Sequence, residues 1–275
     1  FRILNISSVE IDVSNMDAKI ETAMYDDRIY FDEATGIAGT AYPVGTPQAP
    51  SDVIADVITM CTARNLHKIN VHGALTLGAT MQHYCFFGSE HEDIADILDL
   101  SGEDVDGSHI SGLIVTGGQG GANFLTLVKC IANAVTTFNG RMNWCSFWGG
   151  VTSTFKDGGY IDLVDCESIY GAVTITVQAP GRASIKNWRG NLILTAQDGG
   201  TCYVRGFKGS LQIGAMTDGA LSVYANGADI AIIAGCTGGT INIYGNATVT
   251  GAGAGVIINN YTLDTDLATV DTAVD

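Results

Sequence analysis

Three hexapeptides decide the fold of this chain: Gly199-Gly-Thr-Cys-Tyr-Val204, Asp218-Gly-Ala-Leu-Ser-Val223 and Gly238-Gly-Thr-Ile-Asn-Ile243. Each begins with a glycine-containing turn and continues as a strand in which apolar and polar residues alternate. Two related segments, at 158–163 and 180–185, precede them. The repeat predicts a series of short strands at nearly constant spacing along the chain.

Two series of apolar positions keep this spacing. The first is Leu163, Ile185, Val204, Val223 and Ile243, whose sequence numbers differ by 22, 19, 19 and 20 in turn. The second is Ile175, Leu194, Ile213 and Ile232, whose sequence numbers differ by 19 each time. A period near 20 with two or three short strands is typical of a parallel β-helix, in which each coil buries its inward side chains by stacking on the next. We expect right-handed coils, because parallel crossover connections favour that hand.

A looser form of the repeat extends toward the N-terminus. The strand-like segments there are Lys68–His72, Leu75–Leu77, Tyr84–Gly88, His109–Val115, Leu125–Ala132, Asn143–Trp148 and Ile161–Cys166. Cys130, Cys145, Cys166 and Trp188 are expected to form one inward ladder, although its first step, from position 130 to position 145, is irregular. Leucine-rich and helical repeats do not fit, and a propeller blade would need about twice this period. We therefore predict an all-β chain whose parallel β-helix, or β-solenoid, spans residues 67–260.

A linker loop and a capping helix are predicted at residues 29–66, before the solenoid. Three of the four prolines, Pro43, Pro47 and Pro50, lie in the turn-rich stretch 32–50. Ser51 or Asp52 is then expected to cap a helix that runs to about residue 65. Its predicted apolar face consists of Val53, Ile54, Val57, Ile58 and Cys61. Such a helix commonly covers the open end of a solenoid, where an uncovered sheet edge would invite pairing with other chains.

Heptad patterns mark both ends of the chain. The N-terminal seam, in residues 1–28, consists of Ile6, Val9, Val13, Met16, Ile20 and Ala23; the C-terminal seam, in residues 261–275, consists of Leu263, Leu267, Val270 and Val274. Alternating steps of three and four residues predict short coiled coils, and β-branched residues at both seam positions favour three strands over two. Amphipathic helices folded back on the body are the alternative. Because the chain starts at Phe1 and stops within a pattern, we expect a piece of something longer.

The composition restricts the function classes. The chain of 275 residues has 35 glycines, 46% hydrophobic residues and 15% charged residues, so ordinary intrinsic disorder is not expected. Its net charge is −16, from 13 basic and 29 acidic residues, which argues against nucleic-acid binding. A continuous apolar run of membrane-spanning length does not occur in the sequence, so no membrane partner is predicted.

The seven cysteines are interpreted as buried apolar fillers. They are Cys61, Cys85, Cys130, Cys145, Cys166, Cys202 and Cys236. An odd number at wide spacing argues against a disulfide framework, and neither a CxxC pair nor a zinc-type Cys/His spacing occurs in the sequence. No metal or other cofactor is predicted.

Catalytic candidates are few. A polysaccharide-degrading β-helix needs two carboxylates at a set separation or an acidic calcium cluster beside a base. Asp162 and Asp165 are three residues apart and should point to opposite faces of a strand, whereas Asp157 and Asp198 fall in turns, where aspartate usually serves the backbone. No catalytic residue is assigned, and the chain is not expected to be an enzyme.

Two polar clusters have structural interpretations. The acidic stretch 90–106 lacks the DxDxDG spacing of a calcium loop and is read as a solvated excursion, and the five histidines lack an HExxH or other paired metal spacing. Lys186, Arg189, Arg205 and Lys208 form a small basic strip, in which Arg189 and Arg205 are expected on neighbouring coils near the same place. The strip is interpreted as salt-bridging or interprotomer contacts.

Several aromatic residues are expected on the surface of the coils. They are Tyr160, Tyr170, Tyr203, Phe207, Tyr224 and Tyr244. Packing between coils or across a threefold interface is the commoner role for such residues, and a carbohydrate-binding face is the alternative.

The chain resembles a family of bacteriophage fibre and other virion structural proteins. The similarity rests on Ile29–Asp32, on Gly36-Ile-Ala-Gly39-Thr-Ala-Tyr-Pro43-Val-Gly-Thr46, on Pro50 with the helix after it, and on the glycine-punctuated coils that end in Cys236-Thr-Gly-Gly-Thr-Ile-Asn-Ile-Tyr-Gly-Asn-Ala-Thr-Val249. In that family a solenoid sits between coiled-coil stretches, which implies a trimeric fibre on a virion. These motifs are structural, so the resemblance supplies neither a receptor nor a catalytic residue.

The sequence thus leads to the hypothesis of a structural segment of a homotrimeric phage tail or head fibre, at the virion surface or outside the cell. Its expected partners are two further copies of itself, other fibre segments and host-surface glycans. The alternatives are a polysaccharide depolymerase and a cellular adhesin or extracellular filament built on the same fold.

Overall fold

The computed structural model describes residues 24–88, 96–121, 124–148, 152–155, 160–177, 181–197, 199–214, 216–225, 227–233, 235–251 and 255–261, with the side chains of 152–155 and 195–197 left out. The chain divides into two compact units, Phe1–Asn70 (unit 1) and Val71–Asp275 (unit 2). Both heptad seams lie outside the described residues. Their coiled coils therefore stay predictions.

Within its described residues, unit 1 contains a short strand, β1 (Ile29–Asp32), and the helix α1 (Ile54–Arg64). The helix contacts β1, and its buried residues are Val57, Met60 and Cys61. Burial raises the pKa of the Cys61 thiol to about 12, as expected for a thiol that serves as an apolar filler.

The helix is where it was predicted, but its N-terminal cap is not. Neither Ser51 nor Asp52 is the capping residue: the N-cap is Val53, and no side chain caps the helix. Ser51 Oγ instead accepts a hydrogen bond from the backbone N–H of Val53 at 3.3 Å, one step before the helix. At the other end, Asn65 adopts the left-handed conformation of a C-terminal cap, and its N–H reaches the carbonyls of the last turn.

The remaining elements are short strands. In chain order they are β2 (Lys68–His72), β3 (Ala74–Thr76), β4 (Cys85–Phe87), β5 (Ile97–Asp99), β6 (His109–Ser111), β7 (Ile114–Gly117), β8 (Leu125–Val128), β9 (Ile131–Val135), β10 (Thr137–Phe138), β11 (Gly140–Asn143), β12 (Ser146–Phe147), β13 (Thr152–Phe155), β14 (Tyr160–Val164), β15 (Glu167–Ser168), β16 (Val173–Val177), β17 (Arg182–Lys186), β18 (Leu192–Gln197), β19 (Thr201–Phe207), β20 (Ser210–Ile213), β21 (Ala220–Ala225), β22 (Ala228–Ile232), β23 (Thr240–Tyr244), β24 (Ala247–Thr250) and β25 (Ile257–Tyr261).

These strands stack into three sheets. In unit 2, sheet 1 has the order β4-β6-β8-β11-β14-β17-β19-β21-β23-β25, sheet 2 the order β3-β5-β7-β9-β12-β15, and sheet 3 the order β10-β13-β16-β18-β20-β22-β24. Neighbours within a sheet come from successive coils and run parallel. This is a parallel β-solenoid, as predicted. Its handedness and the covering role of α1 remain predictions.

The two apolar series of the sequence are in register. In sheet 1, Leu163 pairs with Ile185, and the pairing continues through Val204 and Val223 to Ile243. In sheet 3, Ile175 pairs with Leu194, and the same row continues to the end of β22. All of these side chains are buried. Removing each one from water contributes about 1.5–3 kcal/mol, so the inward rows hold the stack together.

A row of left-handed residues turns the chain out of sheet 1 at the same corner of successive coils. Its members are Gly112, Lys129, Trp144, Asp165, Asn187 and Gly206, with φ between 51° and 68°. All but the last donate their backbone N–H to a carbonyl of the next coil at 2.8–3.2 Å. The conformation costs a non-glycine residue about 1 kcal/mol or more. It is repeated because it turns the next side chain inward: Leu113, Cys130, Cys145, Cys166, Trp188 and Phe207 are all buried.

This corner confirms the predicted inward ladder of Cys130, Cys145, Cys166 and Trp188. None of the seven cysteines is in a disulfide, six of them are buried, and Cys85 is half-buried. Burial raises the pKa of the Cys145 thiol well above its ordinary value, and hydrogen bonds to the thiols on either side raise it further. Burial also raises the pKa of Cys202 to about 12. Cys145 and Cys202 therefore fill space and are not nucleophiles at neutral pH.

Candidate binding face

The outward side of sheet 1 carries one row of long side chains. The row, called the outer row below, consists of Lys186, Arg205, Tyr224, Tyr244 and Tyr261, which pair directly across β17, β19, β21, β23 and β25. The alternation of the strands puts the apolar rows inside and this row outside. The solenoid therefore presents two cations and then three phenol rings along one line.

The three tyrosines of the outer row stack on one another. The ring centroids of Tyr224 and Tyr244 are 4.5 Å apart with an interplanar angle of 12°, and those of Tyr244 and Tyr261 are 4.8 Å apart at 9°. The Arg205 guanidinium lies 4.8 Å from the Tyr224 centroid. Both faces of the middle ring are thus covered by its neighbours. A ligand beside this stack meets ring edges and hydroxyls, so Tyr244 does not offer a sugar-stacking platform.

The stack also changes the acidity of its middle hydroxyl. Desolvation raises the pKa of Tyr244, and the neighbouring hydroxyls of Tyr224 and Tyr261 raise it further, because each phenolate would repel the next. The Tyr244 hydroxyl therefore stays protonated, so it both donates and accepts hydrogen bonds.

A buried carboxylate lies beside this row. Asp162 on β14 is 3% exposed. Its Oδ2 accepts a hydrogen bond from Nε of Arg141 at 3.1 Å and lies 3.1 Å from Nη2 of the same guanidinium. Its Oδ1 accepts a hydrogen bond from Lys186 Nζ at 3.2 Å. One carboxylate thus binds a cation from the preceding coil and a cation from the following coil. This arrangement occupies both carboxylate oxygens, which suits a structural role.

A pocket of about 310 Å³ opens next to these cations. Its lining residues are Tyr160, Arg182, Ala183, Ser184, Lys186, Tyr203 and Arg205. Register builds it: Tyr160 lies opposite Arg182, and Ser184 lies opposite Tyr203 one coil further on. Tyr160 and Tyr203 are 41% and 42% exposed. We call it the tyrosine–arginine pocket.

A second pocket, of about 350 Å³, lies at the left-handed corner. Its lining residues are Trp144, Cys145, Ser146, Asp165, Cys166, Glu167 and Arg189. Trp144 is 59% exposed because its left-handed backbone directs the indole away from the core. The Ser146 hydroxyl donates to Glu167 Oε1 at 3.3 Å, and the Asn187 amide donates to Asp165 Oδ1 at 2.9 Å. We call it the corner pocket.

Two expectations about surface residues are wrong. Phe207 is buried, because it follows the left-handed Gly206 and continues the inward ladder beyond Trp188. Arg189 and Arg205 lie on neighbouring coils but not at the same place in them: Arg189 bridges to Glu167 and Lys208, whereas Arg205 pairs with Lys186. The basic strip is therefore two pairs on two different sheets. Tyr170 is exposed as expected, at 72%.

The described part of the acidic stretch is tied to the backbone and to amides. Asp96 accepts a hydrogen bond from the Gly73 N–H at 2.9 Å, and Asp99 accepts one from the Ser101 N–H at 2.9 Å. Asp104 accepts hydrogen bonds from Gln82 and from the Asp106 N–H. Within the described residues, no group of three or more potential ligands is placed to hold a metal ion. Glu90, Glu92 and Asp93 lie outside the described residues, as do Asp157 and Asp198.

Both pockets assemble residues that the sequence places far apart. The spacing that aligns Leu163 with Ile185 also aligns Tyr160 with Arg182. The repeat alone therefore predicts that these two pocket residues are adjacent. Trp144 was missed, because nothing in a local alternating pattern reveals a left-handed backbone at a tryptophan.

No protein family matches the chain, and neither a curated protein nor a solved structure matches it significantly. Among the described residues, no helix is long and apolar enough to span a membrane.

Proposed function

We propose that the chain is a noncatalytic structural segment of a trimeric virion fibre, located on a phage tail or head or otherwise outside the cell. The observation that supports this most is the parallel stack of sheet 1. Its ten strands in unit 2 span nine steps of about 4.8 Å, roughly 43 Å of continuously hydrogen-bonded backbone. Each coil is buried only by its neighbours, so the stack resists bending and has no independent parts.

The proposed trimer depends on the two heptad seams. Ile6, Val13 and Ile20 occupy one seam position and are β-branched, which favours three strands. A short coiled coil is marginal alone. In the proposed fibre the necks therefore continue into further segments or assemble together with right-handed solenoids, with α1 covering an end.

The charge of the chain fits a role at a surface. A net charge of −16 keeps β-rich rods soluble and repels neighbouring fibres and nucleic acid. The outer row and the tyrosine–arginine pocket are the surfaces proposed for contact with host glycans.

Sedimentation equilibrium of the chain tests the trimer. The expected mass is three times the chain mass of 28.7 kDa. Replacing the seam residues together, as Ile6→Lys, Val13→Lys and Ile20→Lys, should reduce the mass to that of one chain. The matched control is Ser8→Lys, Asn15→Lys and Thr22→Lys, which adds the same charge away from the seam. A monomer before any substitution, or equal masses for both triple variants, contradicts the proposed neck.

The alternative function is an enzyme that cleaves polysaccharide at one of the pockets. Asp162 is the candidate carboxylate, because it binds Lys186 of the tyrosine–arginine pocket, but it is already bound to two cations. We expect no release of reducing ends from acidic polysaccharide, and turnover that Asp162→Asn abolishes would replace the structural proposal.

A further inference from the structure

The tyrosine–arginine pocket is electropositive on a strongly acidic chain. Three of its seven lining residues, Arg182, Lys186 and Arg205, are basic, and none of the seven is acidic. Asp162 lies opposite Ser184 on the preceding strand and is already bound to Arg141 and Lys186. A surplus of positive charge at one place on a chain of net charge −16 requires a specific reason, because scattered lysines would serve solubility equally well.

The walls of the pocket add a second requirement. Tyr160 and Tyr203 stand on strands two coils apart, about 9–10 Å along the stack, with the small Ser184 on the strand between them. Neither ring belongs to the stacked tyrosines of the outer row. A small anion alone would gain nothing from these walls, whereas a ring with an apolar face gains packing area as well as charge pairing.

The three basic side chains of the pocket differ in the contacts that fix them. Lys186 is bound to Asp162, and Arg205 lies over Tyr224, so both are fixed in place. Arg182 is exposed and lies between the two tyrosine-bearing strands. Arginine presents a planar pair of N–H donors that matches a carboxylate. Arg182 is therefore the group placed to bind a carboxylate held between the tyrosines.

We infer that the tyrosine–arginine pocket binds a carboxylate-bearing sugar ring of an acidic polysaccharide. Such a polymer carries one charge per sugar ring and an apolar ring face, which fits three cations and two phenols around about 310 Å³. Nucleic acid has a far denser charge, which the acidic chain repels. The inference names the ligand class and the face for the surface contact in the proposed function, but it needs only one chain and not the trimer.

Calorimetric titration with an oligogalacturonate of about six sugars tests the inference. The matched control ligand is the same oligomer after chemical reduction of its carboxylates to alcohols. Binding of the acidic oligomer, with at least about tenfold weaker binding of the reduced one, is the expected result. Poly-L-glutamate is the third probe, and equal affinity for it would show general attraction of polyanions and overturn the inference.

Two pairs of variants locate the site. Arg182→Ala and Tyr203→Ala should each weaken binding by about tenfold. Arg189→Ala and Tyr170→Ala, which remove the same groups from exposed positions outside the pocket, should leave affinity unchanged. Equal effects of Arg182→Ala and Arg189→Ala would overturn the inference. Circular dichroism and urea unfolding of all four variants establish that each retains its fold.

Sedimentation of the same samples separates this inference from the trimer. Loss of the trimer in Arg182→Ala, without glycan binding by the unchanged chain, would make the pocket an interface between copies and overturn the inference alone. Glycan binding by a monomeric chain would support the inference while contradicting the proposed neck.

Discussion

The first half of the solenoid, residues 71–148, and the second half, residues 160–261, build the same inward row from different spacings. In sheet 1 the first half joins Phe86, Ile110, Leu127, Met142 and Leu163, whose sequence numbers differ by 24, 17, 15 and 21 in turn. The second half continues through positions 185, 204, 223 and 243, at differences of 22, 19, 19 and 20. The strands keep their register in both halves, because the entropy cost of closing a connecting segment rises only slowly with its length.

The halves also differ in which sheet completes each coil. Sheet 2 has strands of three to five residues in β3, β5, β7 and β9, shrinks to two residues in β12 and β15, and continues only as bridges at Arg189 and Lys208. Sheet 3 begins at β10 and supplies the strand beside sheet 1 in the coils beyond β15, where the strands of sheet 2 have ended. As sheet 2 shrinks, the corner ladder changes from thiols to the rings of Trp188 and Phe207. Large rings thus fill the interior where the strand no longer does.

The largest expected effect separates the two parts of this ladder. Trp188→Ala should lower the free energy of unfolding by about 3–5 kcal/mol, since it leaves a large cavity beside Phe147, whose ring centroid is 5.3 Å away. Cys145→Ala, one buried thiol in the first half, should cost only about 1 kcal/mol. Urea unfolding measures both. Equal losses of unfolding free energy would mean that the aromatic rings stabilise this corner no more than the thiols do.

A glycine in the first half gives the next largest effect. Gly140 has φ +145°, and a Cβ there would lie 1.9 Å from the backbone oxygen of Leu125 on the neighbouring strand. Gly140→Ala should therefore destabilise the fold by about 2–4 kcal/mol, from backbone strain and from forced separation of β8 and β11. Gly102→Ala is the control, because Gly102 also has positive φ (+81°) but has open space around it. Its cost should be about 1 kcal/mol. Similar losses of unfolding free energy in the two variants would show that the close approach of β8 and β11 does not require glycine at position 140.

The junction of the halves is tested at Asp162. Asp162→Asn removes the charge that binds Arg141 on β11 and Lys186 on β17, and we expect a loss of about 1–2 kcal/mol, discounted because both cations are nearly half exposed. Asp165→Asn, at the exposed corner, should stay within about 0.5 kcal/mol. Urea unfolding in low and high salt compares the two. An unchanged midpoint for Asp162→Asn would contradict a structural role for the carboxylate.

The sequence predicted the second half more sharply than the first, for a physical reason. Inward positions such as Leu163 and Ile185 recur at the turn-to-turn distance, so equal loops make the repeat visible. In the first half, β2 was predicted to the residue and β4 to within one residue at each end, but their alignment across unequal loops was not. The thiol ladder was found because cysteine is rare enough to stand out at irregular steps.

The candidate pockets were harder to predict than the fold. Alternation shows that Tyr203 faces outward, but which residue lies beside it depends on a register across two turns. Phe207 was misassigned because alternation along β19 breaks at the left-handed Gly206, and a turn of that kind reverses the side on which the next side chain lies. Local patterns thus determine faces within a strand but not beyond a corner.

The smallest expected effect concerns His109, which lies in the first half between Cys85 and Thr126 on the neighbouring strands. Burial lowers the pKa of His109 below its ordinary value of 6.5, because the charged imidazolium loses hydration. The unfolded chain therefore takes up a proton first as the pH falls. The contribution of His109 to stability is fully present above about pH 6.5 and is lost as the pH falls toward the folded-state pKa.

Urea unfolding at about pH 7.5 and about pH 5 should show a smaller loss of unfolding free energy for His109→Gln than for the unchanged chain. His67→Gln, at an exposed histidine of unit 1, controls for the substitution itself. Identical losses in the unchanged chain and in His109→Gln would mean that the imidazole of His109 is as well hydrated as the exposed side chains of sheet 1 in the second half.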